Sequence, residues 1–383
     1  MLKKVILSTL LLAVCACSFS QTTDTAKAAA AAPAPTAPPV TITGSVDVYY
    51  RGNFNAPIGA TNNYTSFTNS QNSFQLGMAS IRADHSFGKV SATVDLGFGR
   101  RAEEFSFADG NTLFAVKQAY LSYAPDSTFK FTFGKWATHI GYELVDAYAN
   151  ANYSMDYMFS EGPFSHTGLR ADIALGGKTA AMVGIANPTN VTIPSQPSIY
   201  HTAIAQLSTG NSSGSWKFFL NYQGGRQSAA QSIQQGDLVI NGTLSSTLTI
   251  GYNGTVQGQK NTIKNDQGTL TTNATWWGSA LYLDYSPKAW VTFALRGEYI
   301  DDKDAVLLPT AFGSSGTIFS APGTNNITDL TLSVDFKAGN LTIIPEFRMD
   351  NASQEIFAKS DGAGGVTGTK STGSFLLAAV YHF

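Results

Sequence analysis

Residues able to do chemistry are sparse, and their spacing points away from catalysis. The five histidines, His85, His139, His166, His201 and His382, are scattered, and none stands at metal-ligand spacing. The only cysteines, Cys15 and Cys17, lie near the N-terminus. Neither G-x-S-x-G, H-E-x-x-H nor a P-loop occurs. Gly97-Phe-Gly-Arg-Arg-Ala102 has the form G-x-G-x-x-A, but it runs into a loop with no helical pattern after it, so it reads as a chance match. No cofactor, metal or catalytic residue is therefore expected, and the chain does not read as an enzyme. A net charge of −2 also gives no reason to expect a nucleic-acid partner.

What remains is charge. One set alternates with apolar residues along extended segments: Arg82, Lys117, Arg170, Asp172, Arg296, Glu298, Glu346 and Arg348. A second set lies in a stretch that does not alternate, 137–167, which carries Tyr142, Glu143, Asp146, Tyr148, Asp156, Tyr157 and Glu161 and no Lys or Arg. Acids on one side of an opening and basic groups on the other would set a field across it and tune which solutes pass. Two plainer readings stand beside this one. The stretch could be an ordinary exposed loop. Arg296 with Glu298, and Glu346 with Arg348, could satisfy each other, since residues i and i+2 of a strand share a face. His139 and His166 sit near the two ends of the stretch and could pin them.

These residues must be positioned by strands. Alternation of period two dominates from Val40 onward, as in Leu330, Leu332, Val334 and Phe336 against Thr331, Ser333, Asp335 and Lys337. Charged residues are 13% of the chain, aromatics 12%, and there are 36 glycines. Mean hydropathy is near zero, so no long apolar block supplies the hydrophobicity. A soluble β-sandwich would also alternate, but would expose more charge.

Connections fall into short ones, such as 87–89, 176–178 and 337–340, and long ones: 54–72, 102–113, 137–166, 187–198, 227–233, 258–271, 303–325 and 353–372. Short and long alternate, as in an up-and-down barrel with tight turns at one rim and long loops at the other. The expectation is an all-β, transmembrane antiparallel barrel of about sixteen strands, or fourteen if 232–257 is loop, with the third long loop folding inward. A charge facing lipid at mid-depth costs about 2–4 kcal/mol, so the strand charges should line the lumen. In 73–87 the apolar phase switches after Met78, which predicts a bulge near Ala79–Ser80.

Residues 1–20 read as a signal peptide, with a basic start and a short apolar core. Acylation of Cys17 is an alternative processing route. Residues 21–39 form an Ala/Pro-rich tether expected in the periplasm, and the barrel occupies 40–383.

The terminal strand closing on Phe383, and more narrowly the run Asn152-Tyr-Ser-Met-Asp-Tyr-Met-Phe-Ser-Glu-Gly-Pro-Phe-Ser-His-Thr-Gly168, resemble the OmpL-like β-barrel porins of Bacteroidota. The resemblance runs from about Val40 to Phe383. It implies an outer-membrane porin of a Gram-negative bacterium and brings no pore residues with it. The expected function is passive diffusion of small hydrophilic solutes or ions. A substrate-selective channel, and a plugged barrel acting as adhesin or enzyme, are the alternatives. Partners would be outer-membrane lipid, the solutes and, by analogy with porins of this size, two further copies in a homotrimer.

Overall fold

The computed structural model describes residues 38–194, 200–265, 268–302, 304 and 325–383. The segments read as a signal peptide and a tether, up to residue 37, and both cysteines lie outside the described residues, as do parts of connections 187–198, 258–271 and 303–325.

Eighteen strands follow in chain order. They are β1 (Thr41–Asn53), β2 (Ser73–Phe87), β3 (Val90–Phe98), β4 (Val116–Tyr123), β5 (Phe129–Ala137), β6 (Ser165–Gly176), β7 (Thr179–Ala186), β8 (Thr202–Gly210) and β9 (Trp216–Arg226). Then come β10 (Gln231–Ser245), β11 (Leu248–Asn265), β12 (Gly268–Lys288), β13 (Val291–Asp302), β14 (Asn325–Ala338), β15 (Leu341–Ala352), β16 (Phe357–Ser360), β17 (Val366–Thr369) and β18 (Ser371–His382). All but β16 and β17 pair with their neighbours in one closed barrel of sixteen strands, sealed by β1 against β18. Closure leaves no unpaired edge, which a spanning sheet requires because lipid offers no hydrogen-bond partners. The weakly patterned region forms β10 and β11, so the count is sixteen and not fourteen.

The alternation sorts side chains as lipid demands. On β14, Leu330 and Leu332 are exposed on the outer face, whereas Thr331 and Ser333 between them are fully buried. Water-lined residues would not be covered in this way, so something fills the lumen beside β14.

Four expectations are corrected. Two connections read as long are shorter: 227–230 alone separates β9 from β10, and β11 runs on to Asn265 with β12 beginning at Gly268. There the β11–β12 ladder continues to Asn265↔Gly268, far beyond the β4–β5 ladder, which runs only from Ala119↔Lys135 to Tyr123↔Phe131. The upper parts of β11 and β12 pair mainly Asn, Thr and Lys residues, with Ile263↔Leu270 as the one apolar pair beyond Gln259, and that polarity hides the strand period. The bulge in β2 lies at Gly77 and not at Ala79–Ser80, since Met78 faces Asp47 and Leu76 faces Val48. A Cβ at Gly77 would come within 1.8 Å of the Asp47 carboxylate, so only glycine fits. A short helix, α1 (Arg100–Phe105), does follow the G-x-G-x-x-A match. It buries Arg101, Ala102 and Phe105 inward and follows an antiparallel strand, so it forms no nucleotide cradle. Finally, Arg296 does not pair with Glu298, nor Glu346 with Arg348, as described below.

The outer face supplies a test. Leu332→Arg places a cation on the lipid face midway along β14, and is expected to cost about 2–4 kcal/mol, read as a lower urea midpoint for the folded barrel in lipid.

Candidate functional site

The stretch between β5 and β6 is loop 138–164. Its neck is tied by Thr138 N donating to Phe164 O at 2.9 Å. The rings of His139 and His166 lie 5.4 Å apart there, with His166 Nε2 3.3 Å from Thr138 Oγ1. Burial pushes His139 down to about 4, so it stands neutral at the neck.

From the neck the loop crosses the lumen. Gly141 N donates to Asp237 on β10 at 3.1 Å, and Tyr142 N to Asn253 on β11 at 3.3 Å. The Tyr142 ring stacks on Tyr282 of β12 at 4.0 Å. It fits because Gly251 has no Cβ, which would stand 2.5 Å from that ring. Further on, Tyr153 N reaches Glu346 Oε2 on β15 at 2.7 Å, and the Tyr153 hydroxyl donates to Asp47 on β1. A second helix, α2 (Tyr157–Glu161), is capped by Asp156, whose Oδ1 accepts Phe159 N at 2.6 Å. The N–H groups of Tyr157 and Met158 are taken by Glu298 on β13 at 2.7 and 2.8 Å. The Tyr157 hydroxyl donates to Asp350 at 2.9 Å. These partners stand on strands across the barrel from β5, so the loop lies inside it.

Wall cations hold the loop's carbonyls in turn. Arg296 Nη1 donates to Ser154 O at 2.6 Å, and Arg348 Nη1 to Met155 O at 2.6 Å. Arg296 also pairs with Glu143 at 2.6 Å and Asp329 at 2.8 Å. Arg348 pairs with Asp350 at 2.8 Å. Glu298 and Glu346 are thus spent on loop amides and Arg296 and Arg348 on loop carbonyls and other acids, in place of an Arg296–Glu298 and a Glu346–Arg348 pair.

The other expected residues divide. Lys117 reaches the loop and binds Asp146 at 2.6 Å. Arg82 pairs with Asp84 at 2.7 Å on its own strand. Arg170 lies over the Trp136 ring at 5.2 Å and near Asp172 at 3.5 Å. Neither Arg82 nor Arg170 meets a loop acid. Tyr148 is exposed and stacks on His382 at 5.1 Å. The loop acids do not face wall cations across an open gap: Glu143 and Asp146 touch their cations, and Asp156 caps a helix.

Several residues carry no readable signal in the sequence. Arg101, on α1, is wholly buried, 4.9 Å from the Phe67 ring centroid and 4.8 Å from that of Tyr153. It donates to Val145 O and Tyr153 O at 3.2 Å. Its short helix offers no period-two pattern to place it. Arg51 could have been found, because it continues the inward phase of Asp47 and Tyr49. It holds loop 54–72 through Ser70 O at 2.8 Å and Thr61 O at 2.9 Å. That loop also folds in: Phe67 packs with Phe105, Val145, Met155, Phe159 and Phe164 in an apolar cluster. The β16–β17 segment joins through Phe357, 5.5 Å from the Tyr64 ring. On the tight-turn side of loop 138–164 two cavities remain, of about 460 and 290 Å³.

Burial pushes Glu161 up to about 8, with Asp302 adding to the effect. A carboxyl whose folded pKa is raised stabilises the fold fully below its ordinary value near 4.5, and that contribution is lost as pH rises through about 8. Amide exchange in loop 138–164 is therefore expected to quicken between pH 5 and pH 8.5 beyond the intrinsic rate. Glu161→Gln should remove part of that dependence.

The comparisons agree with the geometry. A family model described as "Putative beta-barrel porin-2, OmpL-like" matches residues 39–383. No curated protein matches the sequence. Among solved structures, OprB of Pseudomonas putida aligns with a TM-score of 0.59 at 12% identity, over 90% of this chain and 94% of that one. OmpT of Vibrio cholerae, in a trimer form, gives 0.55 at 11%, over 90% and 99%. An anion-selective porin from Comamonas acidovorans gives 0.54 at 13%, over 90% and 99%. At these identities the structures speak for the fold alone, while the family match covers the whole barrel. The chain belongs to the OmpL-like β-barrel porin family, and is a non-enzymatic passive-diffusion channel of the Gram-negative outer membrane.

Proposed function

We propose that loop 138–164 is the constriction of this porin and sets which small hydrophilic solutes or ions cross. The observation that carries the proposal is the anchoring of the loop's backbone across the lumen by Arg296, Glu298, Glu346 and Arg348. A loop held at both its N–H and its C=O groups keeps its position while solute moves past it. Tyr142, Glu143, Asp146, Tyr148, Asp156, Tyr157 and Glu161 belong to this element, with Lys117 as a further wall contact. Arg82, Arg170 and Asp172 line the wall away from it.

The apolar cluster around Phe67 and Phe164 favours a second reading, a substrate-selective channel, because it fills part of the lumen beside the loop with packed side chains. Liposome-swelling rates separate the two. Flux linear in concentration for all small sugars and amino acids marks passive diffusion, and saturation with one solute marks selection.

Processing of residues 1–20, a periplasmic tether at 21–39 and an origin in the Bacteroidota are parts of the same proposal, supported by the sequence patterns and the run 152–168. A homotrimer is supported by the shared fold with OmpT.

Planar-bilayer recording tests the constriction. Arg296→Ala leaves Glu143 buried without its cation and Asp329 with Arg348 alone at 3.5 Å, a loss on the order of 3–5 kcal/mol for a broken buried pair, and should loosen the loop and raise single-channel conductance. Glu298→Gln, a milder change, should raise it less. Absence of conductance at any voltage in the unaltered protein, or unchanged conductance in both variants, would overturn the proposal.

A further inference from the structure

Glu143, Asp146 and Asp156 of loop 138–164 each have a cation or a hydrogen-bond donor in contact. Below the loop, toward the tight turns, the balance differs. The two cavities there share Asp284 of β12 in their walls, and the smaller one is also lined by Asp335 of β14. Asp284 is half-buried and accepts a hydrogen bond from Thr249 Oγ1 at 3.3 Å. Asp335 is 5% exposed, and its Oδ1 receives no hydrogen bond among the described residues. Lys337, the one cation lining either cavity, donates instead to Thr292 Oγ1 at 3.2 Å. It forms no ion pair within 4.0 Å among the described residues, and so leaves both carboxylates without a contacting cation.

Asp284 pairs with Ala294, and Asp335 with Thr292, so the two acids sit on either side of β13. Two inter-strand spacings put them roughly 10 Å apart, too far to share one metal ion but close enough for their fields to overlap in the vestibule. The other lining groups are neutral amides, hydroxyls and rings, among them Asn221, Asn241, Thr249 and Tyr142. Glu143 also borders the larger cavity, but Arg296 neutralises it.

We infer that Asp284 and Asp335 are the specificity-determining charges of this channel, and that they make the vestibule below the loop selective for inorganic cations and ammonium-bearing solutes over anions. Low-dielectric walls focus a fixed charge into the water they enclose, which enriches counter-ions and depletes co-ions. Charges already in contact with a partner, such as Glu143 on Arg296, contribute little to that field. The inference rests on the barrel conducting, as proposed above.

The test is the reversal potential of the reconstituted full chain in a KCl gradient at low ionic strength, where screening is weakest. The unaltered channel should pass K⁺ in preference to Cl⁻. Asp284→Asn should lower the cation-to-anion permeability ratio by about tenfold, since one unit charge several ångströms away through water weights a cation up and an anion down by about threefold each, and adding Asp335→Asn should lower it further. Lys337→Gln, at an exposed position, should move the ratio the opposite way. Each variant is first checked for the heat-dependent mobility of a folded barrel. Channels that conduct with an unchanged reversal potential in Asp284→Asn and Lys337→Gln would overturn the inference. Absence of conductance in the unaltered protein would instead defeat the proposal on which it rests.

Discussion

Buried charges on the wall bind a peptide backbone, and the interior of the barrel depends on that contact. Glu346 receives the N–H groups of Tyr153 and Ser154 and the Ser333 hydroxyl, while Arg348 and Arg296 donate to the carbonyls of Met155 and Ser154. A charge removed from water is costly unless all its hydrogen-bonding capacity is met. The loop supplies oriented amide dipoles in place of water, and hydrogen bonds to charged groups are the stronger kind, about 1.5–3 kcal/mol each. The wall needs the loop as much as the loop needs the wall.

The same exchange accounts for an apolar cluster inside a polar lumen. Once loop 138–164 is fixed, its inner side presents Met155, Phe159 and Phe164, and loop 54–72 and α1 cover them with Phe67 and Phe105. Arg101 closes the gap by lying against the rings of Phe67 and Tyr153 while its N–H groups serve Val145 and Tyr153. The interior on this side resembles the core of a soluble domain, while Asp284 and Asp335 on the tight-turn side have no contacting cation among the described residues.

Much of the fold was legible because lipid enforces contrast. Leu330, Leu332, Leu295 and Phe347 face outward, with Thr331, Arg296 and Arg348 between them, and that pattern survives in any reading of the chain. Where both faces meet water the contrast goes, which is why the tips of β11 and β12 read as loop. The long stretch after β5 was legible as ordered and close to its true limits. Its partners were not. Period two places Arg296 and Glu298 on one inner face, but it cannot say that Arg296 meets Glu143 and Glu298 meets Tyr157, since those contacts depend on how a loop lies across the lumen. Arg101 and Phe67 sit where neither period applies.

The anchoring contacts also impose an order on assembly. Tyr153 is bound by Asp47 near the start of the barrel and by Glu346 near its end, partners 106 and 193 residues away in the chain. Those two residues come into reach of one loop only after β1 and β18 have met. Until then Glu298, Glu346 and Arg348 face water, where their charges are at ease and the loop has no seat. Seating of the loop is therefore a late event that follows ring closure. A barrel that inserts without sealing would carry its central loop loose, open to proteases at the surface.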